Sequence, residues 1–539
     1  MATVTVFTSR REKGCLYVDK TEYLYKLSRL DGVFYSISRP RWFGVSLCMQ
    51  ALELMYRGKR DAFRGLYIDG TDYEWTSHPV LNLNFLLACE DPDSCRSFLE
   101  YELKREAEKY GIALSDAEDC HSFYRNAIKR LSRINKVVVL IDEFDKPLRV
   151  NAGNGKLGDF LTIYRDFVSA LEESREYLEF SLVFSTTPLP KYRLSPVLDR
   201  FIDLTFSDDY AAFFGFTQKE IEEYFADDIE RGMAAANMGR GEYLEKMYSW
   251  FGGYLFSPNG ECVYHPGFIS RFFESDGRGV SFRNYWVTIG RIGDVIRERA
   301  ASVDFDFALD RTLRISQSSL NSKDITGLSS SFASKEDFIA LLYWYGYFTV
   351  NEAVEADGDC LLTLGYTNQA MEDNLENLVL EHYSPGLFVL TYRISKFLDA
   401  SDSEHALSLL INYLSSIPYS ELEFSRESLC HSVFYYVLRH LGSEEVAVKN
   451  GVEGFFIEGT VECPEDIYLI RIDFDNSALN AADTIKNSRD IGNCRREGKR
   501  LHVIALDFIP GDITSSEWKE ILMDGGSSDC KLYKNCFLH

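Results

Sequence analysis

The chain has 539 residues, 45% of them apolar, 26% charged and 14% aromatic; this length suggests about three domains, and the aromatic content argues against long disordered tracts. Lys and Arg total 58 against 83 Asp and Glu, a formal net charge of -25, which disfavours non-specific nucleic-acid binding but leaves a local basic groove open. The 12 cysteines, Cys15, Cys48, Cys262 and Cys494 among them, show no CxxC spacing and no paired Cys/His framework; MATVTVFTSRREKG at the start lacks an apolar signal core, and no apolar run reaches the roughly 18 residues of a membrane span. A cytoplasmic protein with reduced, mostly buried thiols and no membrane segment is expected.

Taken in chain order, Val33–Ser38 (VFYSIS) predicts a buried strand, followed by a turn and a helix from Ser46 to about Tyr56. His78–Phe85 and Phe180–Ser185 predict further strands, with helices at Arg96–Tyr110 and Phe160–Leu178. Val137–Ile141 (VVVLI) has no polar alternation, as expected of a central strand covered on both faces. Strands alternating with helices predict a parallel three-layer α/β domain. From about Phe214 helical patterns dominate to about Leu414, with Thr217 and Glu220 spaced as a capping box. The aromatic segments Tyr248–Phe256 and Leu341–Val350 are expected to serve core and hairpin packing, with base stacking as the alternative. From about Ser415 the pattern is mixed, with strands expected at Gly454–Glu458, Ile467–Phe474 and Leu501–Phe508 and a helix between the last two. The expected division is 1–210, 211–414 and 415–539.

Arg39–Ser46 (RPRWFGVS) lies between a predicted strand and a predicted helix, where a phosphate loop belongs. Such a loop surrounds phosphates with backbone N–H groups and a helix N-terminus, while a Lys reaches the outer phosphates and a Ser or Thr holds Mg²⁺. Gly44 and Ser46 are in place, Val45 stands at the Lys position, and the leading Gly is absent. The strand Val137–Ile141 runs into Asp142 and Glu143, with Asp145 nearby. An Asp at such a tip can position Mg²⁺, and the adjacent Glu can orient an attacking water; two acids that merely open a loop are the lesser alternative.

YVDKTEYLYKL (Tyr17–Leu27), SRPRWFGVSL (Ser38–Leu47) and VVVLIDEFDKP (Val137–Pro147) together resemble the bacterial AAA-ATPase-like family with a C-terminal PD-(D/E)XK nuclease, which typically reads YVDKT, SRPRRFGKS and VVLIDEYDKP. The resemblance continues through GFTQKEI (Gly215–Ile221), WFGGYLF (Trp250–Phe256), VYHP (Val263–Pro266), YW (Tyr285–Trp286) and YGYFT (Tyr345–Thr349). It implies a P-loop NTPase domain, a mainly helical middle region and a restriction-endonuclease-like α+β domain. It also implies an ATP site at Arg41, Gly44, Val45 and Ser46, with Asp142 and Ser46 on Mg²⁺ and Glu143 as the catalytic residue. Val45 departs from the family's Lys, and neither Arg41 nor Lys146 is placed by loop geometry to replace it. Ser185–Pro196, with Pro188 and Pro190, stands where the family has a Thr-Gly segment. Weak or absent ATP and Mg²⁺ binding and absent or very slow hydrolysis are therefore expected.

A PD-(D/E)XK site needs an Asp and a Glu to hold Mg²⁺, with a Lys two residues after the Glu on the same strand face. The resemblance places these at Gly454, Arg471 and Asp473, so the Asp is lost and the other two positions are reversed in charge. The family's Gln-Ile pair falls at Thr484-Ile485, while Glu427 and Glu445 remain near upstream acidic positions. A shifted site from Glu453, Asp473 and Asp475 is less expected than solvated acids. Cys430, His431 and His440 lie in CHSVFYYVLRHL, where packing is expected rather than nucleophilic catalysis. Two readings stay open: a pseudoenzyme acting as an interaction or regulatory scaffold for a protein partner, or an ATP-dependent nucleic-acid-processing enzyme with substituted site residues.

Overall fold

The computed structural model describes residues 6–12, 15–87, 91–114, 119–151, 155–188, 200–286, 291–322, 334–356, 358–443, 446–451, 454–474, 498–524 and 527–534. The chain divides into two compact units, one of residues 1–287 and 313–372, the other of 288–312 and 373–539.

The first unit is built on β1 (Phe34–Ser38), β2 (Val80–Asn84), β3 (Val137–Asp142), β4 (Leu178–Ser185) and β5 (Ile202–Asp203). They form a five-stranded sheet in the order β2-β3-β4-β1-β5, with parallel pairing throughout. Every residue of β3 is buried, which explains a run with no polar alternation: both faces of the strand are covered. Leu81, Leu83, Val139 and Ile141 from the sheet pack with Leu99, Leu103, Phe123, Phe160 and Phe167 from helices. Those helices are Pro92–Glu108, Cys120–Leu131 and Leu157–Glu173. Asp91 and Asp119 start the first two by accepting from the backbone N–H groups of Ser94 and Ser122, as N-caps do. Because β4 lies between β1 and β3, the C-terminal ends of β1 and β3 border a crevice where the strand order reverses. Open α/β sheets bind ligands at such a point. The arrangement is consistent with a P-loop-like domain.

Further along the first unit, Thr217 and Glu220 form a reciprocal capping box at helix Gln218–Tyr224. Residues 341–350 are all buried, so this aromatic segment is core. It ends helix Lys335–Trp344, turns at Gly346 and enters the antiparallel pair β7 (Phe348–Ala356) and β8 (Asp359–Tyr366). With β6 (Thr312–Ser316), that pair makes a three-stranded sheet within a region expected to be mainly helical. Among the described residues no helix is long and apolar enough to cross a membrane.

The second unit carries a mixed six-stranded sheet of β9 (Val446–Gly451), β10 (Gly454–Glu462), β11 (Asp466–Asp473), β12 (Arg500–Asp507), β13 (Glu517–Asp524) and β14 (Ser527–Lys534). β9, β10 and β11 form an antiparallel meander, β12 pairs parallel to β11, and β13 and β14 continue antiparallel. On one face Ile467, Leu469, Leu501, Val503, Ala505 and Ile521 form an apolar cluster. On the other, Ile470, Ile472 and Ile504 meet Leu398, Leu407 and Phe434 around a small cavity. The helix expected between β11 and β12, and the positions Glu445, Glu453, Asp475, Thr484, Ile485 and Cys494, lie outside the described residues.

Gly253 has φ +83°, and a Cβ there would run into the backbone carbonyl oxygen of Thr367. Gly65 has φ +76° with open space around it, so it isolates the backbone term. Gly65→Ala is expected to lower stability by about 1–2 kcal/mol and Gly253→Ala by clearly more, as read by thermal unfolding. Equal effects would remove the close approach as a constraint.

Candidate functional site

The segment after β1 is held from beneath by Arg39. Its fully buried guanidinium donates to the carbonyl oxygens of Ser38 at 2.8 Å, Thr205 at 2.9 Å and Tyr210 at 3.0 Å. It also stacks 4.3 Å from the centre of the Phe256 ring. Burial pulls its pKa down to about 10, so the group stays charged at neutral pH. Arg39 thus braces the start of the loop; a phosphate is not its partner.

Above this brace the backbone takes two left-handed residues, Trp42 at φ 66° and Gly44 at φ 86°. Gly44 starts helix Val45–Tyr56, and no side chain caps that helix. Its first N–H groups, lacking intrahelical acceptors, make the N-terminus a ready anion site. Val45 is buried, so an apolar side chain stands where a phosphate loop carries a Lys. Ser46 is exposed but donates from Oγ to Asp142 Oδ2 at 3.0 Å. Asn84 Nδ2 also approaches this oxygen, at 3.5 Å.

Asp142 is 3% exposed, and its pKa is pushed up to about 6, chiefly by burial and further by Glu143 and Asp145, against the hydrogen bond from Ser46. Glu143 follows in a left-handed conformation, φ 55°, an unfavourable backbone for a non-glycine residue. Its Oε2 lies 3.3 Å from Arg149. Arg149 also donates from Nε to Asp145 Oδ2 at 2.7 Å and from a terminal nitrogen to Tyr345 Oη at 3.2 Å. Asp145 is wholly buried and in addition accepts from the Thr186 and Thr187 backbone N–H groups and the Thr187 hydroxyl. It therefore ties the end of β3 to the residues after β4. The charge of Arg41 acts on Tyr345, whose pKa is raised by burial.

His265 fixes the loop from the side. Its Nδ1 accepts from the Phe268 N–H at the start of helix Pro266–Asp276, so Nε2 carries the hydrogen and donates to the Arg41 carbonyl at 3.0 Å. Burial drives its pKa down to about 3, keeping it neutral. Trp42 meets Trp286 at 5.1 Å and lies under Arg271. Beside Gly44 opens a cavity of about 560 Å³, bordered by Tyr17, Lys20, Phe43, Cys48, Phe214 and Phe273 among others. Lys20 is held there by Glu220 Oε2 at 2.7 Å and by the Ala212 carbonyl.

The structure thus brings Ser46, next to the Gly44 turn, against Asp142, with Glu143 adjoining and Val45 buried between Gly44 and Ser46. Arg149, Asn84, Thr187 and His265 were not read as site residues. His265 sits in VYHP and Thr187 follows β4, but neither segment carries a motif that announces its contact.

In the second unit Arg471 and Asp473 project from the same face of β11, as their spacing requires. Arg471 Nε lies 3.1 and 3.2 Å from the Asp473 carboxylate oxygens, and a terminal nitrogen donates at 3.0 Å. The guanidinium rests 3.6 Å from the centre of the Phe456 ring, and both residues are buried. Asp507, opposite Asp473 on β12, has a raised pKa through burial, then Asp473 and Glu517. Gly454 opens β10 and pairs with Gly451. Glu427 lies in the first turn of helix Arg426–His440. The Cys430 thiol is pushed up to about 12 by burial, and His431 Nδ1 meets Asp306 at 2.7 Å between the Phe455 and Phe474 rings.

Because His265 is neutral in the fold but takes a proton near its ordinary value of 6.5 when unfolded, its contribution is present above that pH. The contribution is lost as pH falls from there toward about 3. By linkage the first unit should lose about 2 kcal/mol between roughly pH 6.5 and 5. Denaturation of His265→Asn across this range should show that slope reduced; an unchanged slope would refute the assignment.

Residues 2–194 match the sequence profile of a family described as a predicted AAA-ATPase. An uncharacterized protein in the vnfD 5' region of Azotobacter chroococcum mcd 1 is 25% identical over 509 residues, covering 91% of this chain and 92% of that protein. The crevice at the ends of β1 and β3 therefore lies within a segment similar to AAA-ATPase-like domains.

Proposed function

We propose that the first unit is a degenerate nucleotide-binding domain that holds ATP and Mg²⁺ weakly and hydrolyses ATP very slowly or not at all. The observation that carries this reading is the Ser46–Asp142 hydrogen bond at the foot of the Gly44 turn, the pairing from which a P-loop protein holds Mg²⁺. Gly44 and the uncapped helix N-terminus would receive phosphates, Ser46 and Asp142 the ion, and the adjoining cavity the base. When bound, Mg²⁺ would neutralise phosphate charge and relieve the desolvated Asp142 carboxylate. Loss of the Lys at Val45 removes a charge-assisted phosphate contact of about 1.5–3 kcal/mol, or one to two decades of affinity. The pairing of Glu143 with Arg149 further occupies the carboxylate expected to orient water.

The second unit, in this reading, keeps a nuclease-like framework without nuclease chemistry. Its support is the meander β9–β11 with parallel β12, and the closed Arg471–Asp473 pair where an acid and a Lys are expected. We assign the whole chain, with functional regions 1–210, 211–414 and 415–539, a regulatory or interaction role toward a protein partner in the cytoplasm. The retained Asp142-Glu143 pair favours one alternative, an ATP-dependent nucleic-acid-processing enzyme.

Titration of the full chain with a fluorescent ATP analogue should give weak, Mg²⁺-assisted binding, and Val45→Lys should tighten it by about ten- to a hundredfold. ATP turnover by the wild type that Asp142→Ala abolishes would sink the non-hydrolytic reading. Incubation with single- and double-stranded DNA and RNA plus Mg²⁺ or Mn²⁺ should leave the substrates intact; products lost in Asp473→Ala, with its fold retained by circular dichroism, would overturn the loss of nuclease chemistry.

A further inference from the structure

We propose that Asp373, Glu376 and His440 in the second unit form a binding site for a divalent first-row transition metal ion of the Zn²⁺ class. Among the described residues their potential ligand atoms converge within 4.8 Å of one another. Asp373 and Glu376 are one turn apart on helix Gln369–Tyr383, so they share a face. His440 is the last residue of helix Arg426–His440. The site would therefore clip one helix to the end of another.

The orientation of His440 supports this assignment. Its Nδ1 lies 2.9 Å from the Tyr436 carbonyl oxygen. A carbonyl only accepts, so Nδ1 carries the hydrogen and Nε2 is left facing Asp373, 3.8 Å from Oδ1. A metal-binding His is commonly oriented through its other nitrogen in this way. The Tyr436 ring, stacked 3.9 Å from the imidazole, fixes its plane further.

Charge balance points the same way. Arg439 donates to Asp373 and, at 2.6 Å, to Glu376 Oε2. Glu376 is wholly buried, where a carboxylate requires compensating positive charge. A carboxylate has about four lone-pair positions, so each acid can serve Arg439 and an ion together. The Asp373 and His440 side chains are 18% and 22% exposed, giving the ion a route in and leaving room for water as a further ligand. One imidazole with two carboxylates suits Zn²⁺ and Mn²⁺ better than a thiolate-seeking ion. The competing way to balance the site is a proton on His440 Nε2, which would exclude the metal.

Co²⁺ added to the full-length protein, followed by its visible absorption, tests the site. The expected result is binding displaced by Zn²⁺ and free of dominant thiolate charge-transfer bands. His440→Gln and Asp373→Asn should each weaken it by at least about tenfold, with folding checked by circular dichroism. Asp142→Asn should leave it unchanged, separating this site from the Mg²⁺ position proposed above. No uptake by about 1 mM Co²⁺ (a free energy of roughly -4 kcal/mol), uptake unaffected in both His440→Gln and Asp373→Asn, or thiolate-dominated bands would each overturn the proposal.

Discussion

A carboxylate sealed away from water must be satisfied where it stands, and Asp145 imposes that constraint on the candidate site. It meets the demand with the Thr186 and Thr187 N–H groups, the Thr187 hydroxyl and Arg149. The same contacts hold the ends of two neighbouring parallel strands in register just where the crevice opens. Once Arg149 is drawn in, its remaining nitrogens fall to Glu143 and Tyr345. The acidic pair Asp142-Glu143 is therefore split by its surroundings: one carboxylate faces Ser46, the other an arginine. Two adjacent acids have been given unlike electrostatic environments by a third that never meets solvent.

The loop opposite is held by a different kind of force. Arg39 and His265 act through backbone carbonyls, so these contacts do not depend on the side chain at position 45. This separation explains how Val45 can replace a Lys without dismantling the turn at Gly44. In the proposed reading the framework for anion binding is main-chain N–H groups and helix polarity, while a Lys would supply the added strength. Losing the second leaves the first in place.

What could be read from sequence follows from how local each feature is. β3 was legible because five consecutive aliphatic residues admit few alternatives, and the Thr217–Glu220 box because capping acts across three residues. The predicted helix Phe160–Leu178 ends early, at Glu173, because the chain must turn through Arg175–Tyr177 to start β4 at Leu178. The strands β13 and β14 were missed since EWKEILMD and SSDCKLYK carry many polar residues and owe their extension to pairing with neighbours. The same limit applies to the site. Gly44, Ser46 and Asp142 lie in motifs, whereas Arg149 on Glu143 and His265 on Arg41 become apparent only once the chain has folded back on itself. Opposite charges two residues apart at Arg471 and Asp473 were visible as a pattern; that the two neutralise each other within one strand face required their distances.

That pair also has a history-dependent consequence. If the ancestral positions held a Glu and a Lys, their present occupants, Arg471 and Asp473, have exchanged signs together. Restoring only the first would set Glu against Asp473, and restoring only the second would set Lys against Arg471. Either intermediate buries two like charges side by side, beyond the loss of a buried partner that alone amounts to about 3–5 kcal/mol. The pair therefore couples the two positions: a single charge change at either one is opposed by folding stability, whereas a joint change is not.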